Sequence, residues 1–138
     1  MPDARSRGSL ALSWACQLGA AAILAQTLFF KFSGAAESRF IFQSLHVEPW
    51  GRVASGVAEL VCAVLLLVPR TAALGALLSL GVISGALLAH LFVLGIEVEG
   101  DGGLLFGLAL SVFACSLVVA WIRRADVPVF GCKLGRIR

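Results

Sequence analysis

Glu59 stands in an apolar run, GVAELVCAVLLLV, with no other charge between Arg52 and Arg70. A carboxylate there leaves water for a low-dielectric surrounding, at a cost of about 2.5–3.5 kcal/mol at a helix centre on insertion scales. A chain that keeps such a group needs a partner for it. His90 lies in a second run, Ala72 to Ile96, that holds no acid, lysine or arginine. A glutamate facing an imidazole suits proton movement or the binding of a polar headgroup, for instance a quinone carbonyl. The same pair without a ligand would simply fasten two helices. A lone glutamate in an apolar cavity is expected to keep its proton, whereas a nearby imidazolium would hold it ionised.

Helical rise gives each polar residue a depth, at about 1.5 Å per residue. Glu59 follows Arg52 by seven residues and His90 precedes Glu97 by seven, so each sits roughly 10 Å from the same boundary. Gln26 precedes Lys31 by five, about 7–8 Å in, and Ser111 follows Gly103 by eight, about 12 Å in. One polar residue from each of four segments therefore reaches a similar level. The expectation is a shared cavity in which Glu59 and His90 face one another and Gln26 and Ser111 line the wall. Glu59 shares a helical stripe with Arg52, Ser55 and Cys62, and His90 shares one with Ser79 and Ala86. Lys31 is expected at the boundary or in the mouth of the same cavity, and Arg52 beside it.

Other chemistries find less support. Cys16, Cys62, Cys115 and Cys132 form no Cys-x-x-Cys pair, so a dithiol shuttle has no local signature, and buried thiols serve as small apolar groups. His46 and His90 are the only histidines and have no ligand-type spacing, so no metal site is expected. There is no glycine-rich phosphate loop and no serine-nucleophile elbow. The net charge of +3 does not mark a nucleic-acid binder, because five of the eleven basic residues (Arg123, Arg124, Lys133, Arg136 and Arg138) crowd the C-terminal end, as beside a membrane.

The elements that position these residues follow from composition. The chain has 138 residues, 59% hydrophobic and 14% charged, with a mean hydropathy of +0.97. Soluble domains carry about 25% charged residues. Four segments can cross a hydrocarbon core of about 30 Å: Ser9 to Phe30, Val53 to Pro69 (extendable through Trp50 and Gly51), Ala72 to Ile96, and Gly103 to Ile122. Each must be helical, since lipid offers no partner to an open backbone. The fold class expected is all-α, an integral membrane antiparallel four-helix bundle. It divides into an N-terminal tail, residues 1–8, a transmembrane domain, 9–124, and a basic C-terminal tail, 125–138. The first apolar stretch, about 22 residues, exceeds the usual 7–15 of a signal-peptide core, so it is read as an uncleaved helix.

Lysine and arginine set the orientation. With the N-terminus inside, Arg5, Arg7, Arg70 and the five C-terminal basic residues are cytoplasmic, against Lys31, Arg39 and Arg52 outside. The expectation is N-in and C-in, in a bacterial inner membrane. IEVEGDGG then becomes an acidic outer hairpin whose Asp101-Gly102-Gly103 end is turn chemistry. The first connection, Ser33 to Arg52, holds ESRFIFQSL, a short helix that dips Phe40, Ile41 and Leu45 into the interface, as a plain connection or as a lid over the outer mouth. Small residues four apart (Ala15 and Gly19; Gly51 and Ser55; Gly81, Gly85 and Ala89; Gly103, Gly107 and Ser111) are expected where helices approach closely.

Across these segments the chain resembles the DoxX family of small four-helix bacterial membrane proteins. The resemblance is carried by LFFKFSGAAESRFIF, EPWGRVASGVAELVCAVLLLVPRTAALGA and HLFVLGIEVEGDGGLLFGLAL, and covers roughly Gln17 to Arg124. It implies a link to redox or thiol-stress systems, through a subunit tied to thiosulfate:quinone oxidoreduction, and brings no settled catalytic set. Absence of a paired-cysteine motif argues against direct thiol redox here. Three readings follow: an accessory protein binding a small lipophilic or polar-headed ligand, a quinone-linked oxidoreductase subunit needing a membrane or soluble redox partner, or a scaffold for another membrane protein. A quinone is the one cofactor suggested, the lipid bilayer is the one sure partner, and self-association stays open.

Overall fold

A computed structural model describes residues 6–127. Arg5, Cys132, Lys133, Arg136 and Arg138 lie outside the described residues. The described chain is all helical: α1 (Arg7–Ser33), α2 (Ala36–Ser44), α3 (Trp50–Leu67), α4 (Ala72–Ala89) and α5 (Leu104–Ile122). A π-turn, His90–Leu94, continues α4, and a 3-10 turn, Arg124–Asp126, follows α5.

The helix ends follow local chemistry. The Ser6 hydroxyl accepts from the Ser9 amide and opens α1. Gly34, at φ 67°, closes it in the left-handed conformation that a residue with a Cβ resists. α1 thus runs a full turn longer than its uncharged stretch and carries Lys31 on helix rather than in a loop. Proline and threonine break the chain between α3 and α4, where the Thr71 hydroxyl donates to the Leu65 carbonyl at 3.0 Å.

α1, α3, α4 and the π-turn taken together, and α5 are long and apolar enough to cross a membrane. The chain has the build of a multi-pass membrane protein. α1 packs on α3 and α5, and α4 packs on α3 and α5, which closes a four-helix bundle. Its centre holds Ala20, Leu24, Cys62, Leu66, Ala76 and Val112. Its outside is as apolar as its core: Phe29, Leu91, Phe92 and Leu104 are exposed. That inversion suits lipid as the surrounding medium, where apolar surface carries no hydration cost. Trp50 at the start of α3 and Trp121 at the end of α5 are also exposed, as interfacial tryptophans are.

Of the glycines in the four-apart pattern, Gly51 is crowded by Val47 and Gly103 by Ile96, both residues of connections, while the close approaches between spanning helices fall at glycines outside it. A Cβ at Gly75 would meet backbone of Leu65 and Leu66 at 2.8–2.9 Å, and one at Gly56 would meet the Phe32 ring at 2.9 Å. At Gly19, Gly81, Gly85 and Gly107 a Cβ would meet nothing within 4 Å. Sequence spacing cannot tell a glycine that admits a neighbour from one that leaves space.

Candidate functional site

Glu59 is buried on α3, and its partner is Lys31 rather than His90. The Lys31 ammonium forms a salt bridge with Glu59 Oε1 and donates to the Ser55 hydroxyl at 3.3 Å. The Thr27 hydroxyl lies 3.0 Å from Glu59 Oε2 and 2.8 Å from the Leu24 carbonyl oxygen. The Phe42 ring of α2 covers the ammonium at 5.9 Å, within cation–π range. The expected direct Glu59–His90 pair is therefore replaced by a Glu59–Lys31 pair, because the Lys31 ammonium already compensates the carboxylate. The physical reason is the extra helical turn of α1, which brings a full positive charge to the depth of the carboxylate.

Spacing held a signal for this arrangement. Thr27 and Lys31 are one turn apart on α1, and Ser55 and Glu59 one turn apart on α3. Two hydroxyl-plus-charge pairs on facing stripes make a closed set of four polar groups.

His90 is 5% exposed and sits where α4 passes into the π-turn. The Gly95 amide donates to the His90 carbonyl at 2.7 Å, and the ring Nδ1 lies 2.9 Å from the Gly95 carbonyl oxygen. A carbonyl only accepts, so Nδ1 carries the proton, and in the neutral ring Nε2 is an acceptor. Phe106 packs edge-on to the imidazole with ring centroids 5.6 Å apart. π-turns inside helices recur at functional sites.

Lys31, Glu59 and His90 nevertheless line one cavity of about 570 Å³ at the α2 end of the bundle. Gln26 lines it too, as expected from its depth. Ser111 does not: it is exposed, and its hydroxyl donates to the Gly107 carbonyl at 2.9 Å on its own helix. Depth alone located Ser111, and helical phase turns it away. Arg52 is not a lining residue. It donates to Glu48 at 2.9 and 3.1 Å and to the Lys31 carbonyl, so it ties the end of α1 to α3 beside the cavity. α2 closes one side with Ile41, Phe42 and Leu45, so Ile41 and Leu45 turn toward the cavity while Phe40 is exposed. The space itself comes from Gly85, Ala86 and Ala89 on α4, which put small groups where larger ones would fill it.

Asp101, also at the cavity, accepts from the amides of Val98, Gly103 and Leu105 at 2.8–3.0 Å and so caps α5. Those three donors, with the nearby His90, hold its carboxyl below the usual carboxylate range.

A second polar centre lies at the other end, and sequence depth reasoning missed it. Arg123, 5% exposed, donates through Nε to the Ser13 hydroxyl and to Gln17 Oε1, both at 2.9 Å. Gln17 Nε2 donates to the Leu66 carbonyl at 2.6 Å, and Ser13 donates to Gln17 Oε1 at 2.7 Å. Trp14 flanks the guanidinium at 5.7 Å. Gln17 inside an apolar run, with Ser13 one turn earlier, repeats the pattern of Thr27 and Lys31. The cluster does not line the cavity of Lys31, Glu59 and His90, and its groups hydrogen-bond to each other. Cys16 and Cys115 lie close enough on α1 and α5 for their thiols to interact, and neither lines the cavity. No group of three or more metal-ligating side chains occurs among the described residues.

No family model, curated protein or solved structure matches this chain.

Proposed function

We propose that this chain is a DoxX-like protein of the bacterial inner membrane that binds a small lipophilic ligand with a polar head in its intramembrane cavity. In this reading it serves as an accessory protein of a redox or stress-response system. The helices run antiparallel with both termini in the cytoplasm, the cavity opens toward the outer side, and α2 lies at the interface as its lid.

The observation that carries the reading is the cavity at His90. About 570 Å³ falls within the usual range for small-molecule sites, roughly 300–1,000 Å³. Its wall is mostly apolar, with Ile23, Leu24, Val82, Leu105 and Val112, and its polar groups converge from α1, α2, α3, the π-turn and the loop before α5. A buried polar pair that only fastened helices needs no space beside it, and Lys31, Glu59 and His90 have that space. A scaffold that offered only its outer faces would have no use for the empty volume.

A quinone-linked oxidoreductase subunit is the second reading. A quinone carbonyl needs a hydrogen-bond donor, and although Lys31 and Thr27 are engaged with Glu59 and its neighbours, the Gln26 amide and the Ser38 hydroxyl also line the cavity.

Mass spectrometry of small molecules retained after gentle detergent extraction tests the reading. A lipophile should co-purify with the native chain and be lost when Gly85→Leu fills the cavity. The same retained molecules in both preparations would overturn it.

A further inference from the structure

Thr27, Lys31, Ser55 and Glu59 form one contiguous polar cluster, and all four line the cavity. The cluster is not saturated. An ammonium has three protons, and Lys31 gives one to Glu59 and one to Ser55, which leaves the third with only the Phe42 ring. Glu59 takes at most one donor on each oxygen, while a carboxylate has about four lone-pair sites. A spare donor and a spare acceptor therefore stand on either side of one salt bridge. The charges, in contrast, are already matched. Lys31 and Glu59 cancel, Asp101 is held by three backbone amides, and Glu37 is exposed on α2. Gln26 and Ser38, which also line the cavity, have no hydrogen-bond partner among the described residues. Both are neutral groups that donate and accept.

We propose that the ligand is a neutral single-tailed lipid with a vicinal-diol head, as in a monoalkyl or monoacyl glycerol, docked on the Lys31–Glu59 pair. One hydroxyl donates to the Glu59 carboxylate and its neighbour accepts from the Lys31 ammonium, so the head spans the salt bridge without breaking it. Both are hydrogen bonds to charged groups, the stronger kind. A charged head does worse with either sign. An ammonium competes with Lys31 for Glu59, and a carboxylate competes with Glu59 for Lys31. Each leaves a charge uncompensated where water is excluded. A head that only accepts leaves the carboxylate lone pairs unmatched. The tail takes the apolar wall, where Gly85, Ala86 and Ala89 leave room for it.

This inference rests on the cavity being a ligand site, so its test separates the two claims. The chain in phosphatidylcholine nanodiscs is titrated calorimetrically, against empty discs, with four probes of similar tail. They are decylglycerol (a monoether with two vicinal hydroxyls), its dimethyl ether, decylamine and decanoate. Decylglycerol should bind at least about tenfold more tightly than each of the others. Gly85→Leu, whose new side chain enters open space, should weaken decylglycerol about tenfold while circular dichroism shows the helices intact. The double variant Lys31→Met with Glu59→Leu removes the pair without leaving a charge, and should bind decylglycerol no more tightly than the dimethyl ether. The ranking of probes is read on the native chain, so it decides whether or not the double variant folds. Equal or tighter binding of any other probe, still blocked by Gly85→Leu, overturns the diol and leaves the ligand site standing. A folded double variant that keeps the preference for decylglycerol does the same. If no probe binds in a way that Gly85→Leu weakens, both claims fall.

Discussion

The Lys31 ammonium and the Glu59 carboxylate meet between α1 and α3, with side chains 15% and 5% exposed. Neither residue stands alone in the membrane-facing part of the chain, and each makes the other tolerable there. The pair also fixes the relative height of α1 and α3, because a slip of one turn would leave two charges unpaired.

Removing one charge should therefore cost more than removing both. Lys31→Met alone or Glu59→Leu alone should destabilise by roughly 3 kcal/mol, because an uncompensated charge remains in a nearly buried site. The double variant should recover much of that loss. Unfolding midpoints in mild detergent give the cycle, and additive effects would show that the two residues do not interact.

Gln17 holds the other end of the bundle together through Arg123, Ser13 and the Leu66 carbonyl. Gln17→Leu removes one donor and one acceptor from a fully buried cluster, so a loss of about 1–3 kcal/mol is expected. Ligand retention should persist in the fraction that folds, because the cluster is at the opposite end from the cavity. A variant as stable as the native chain would contradict the hydrogen-bond assignment.

Asp101 makes the start of α5 sensitive to acid. Its carboxyl is held below the ordinary range, so the ionised form is favoured by folding. That contribution is fully present above the unfolded-state value and is lost as pH falls through the lowered folded-state value. Hydrogen exchange at Leu105 should quicken below the ordinary carboxylate range. Asp101→Asn should show the quicker exchange already at neutral pH, with little further change on acidification.

Cys16 and Cys115 are neighbours in space but stand apart from the cavity lining. Replacing both with serine should leave ligand retention unchanged. Loss of retention with normal expression and helix content would bring the thiols into the function.

The proposed orientation rests on the basic residues: Arg7, Arg70, Arg123 and Arg124 against Lys31, Arg39 and Arg52. A reporter inserted at Gly100 should be active only outside the membrane, and one placed after Asp126 only inside. The opposite labelling would invert the topology.

Four apolar segments were legible from sequence because lipid demands about 20 apolar residues with every backbone group satisfied within the segment. The helix boundaries agree to within a few residues at most ends. Glu59, His90, Gln26 and Lys31 were also legible as cavity residues, since a polar side chain in an apolar run has few tolerable surroundings. Depth along a helix is a one-dimensional quantity, and sequence supplies it. Partner choice is three-dimensional, and it depended on two things that hydropathy does not carry. Gly34 ends α1 about one turn past Phe30, the end of the uncharged stretch, so Lys31 lies on the helix and pairs with Glu59, while His90 meets the Gly95 carbonyl. Helical phase turns Ser111 outward onto Gly107 and Gln17 inward onto Arg123. Only the packed helices decide phase, because each must rotate to bury its polar groups against the others at once.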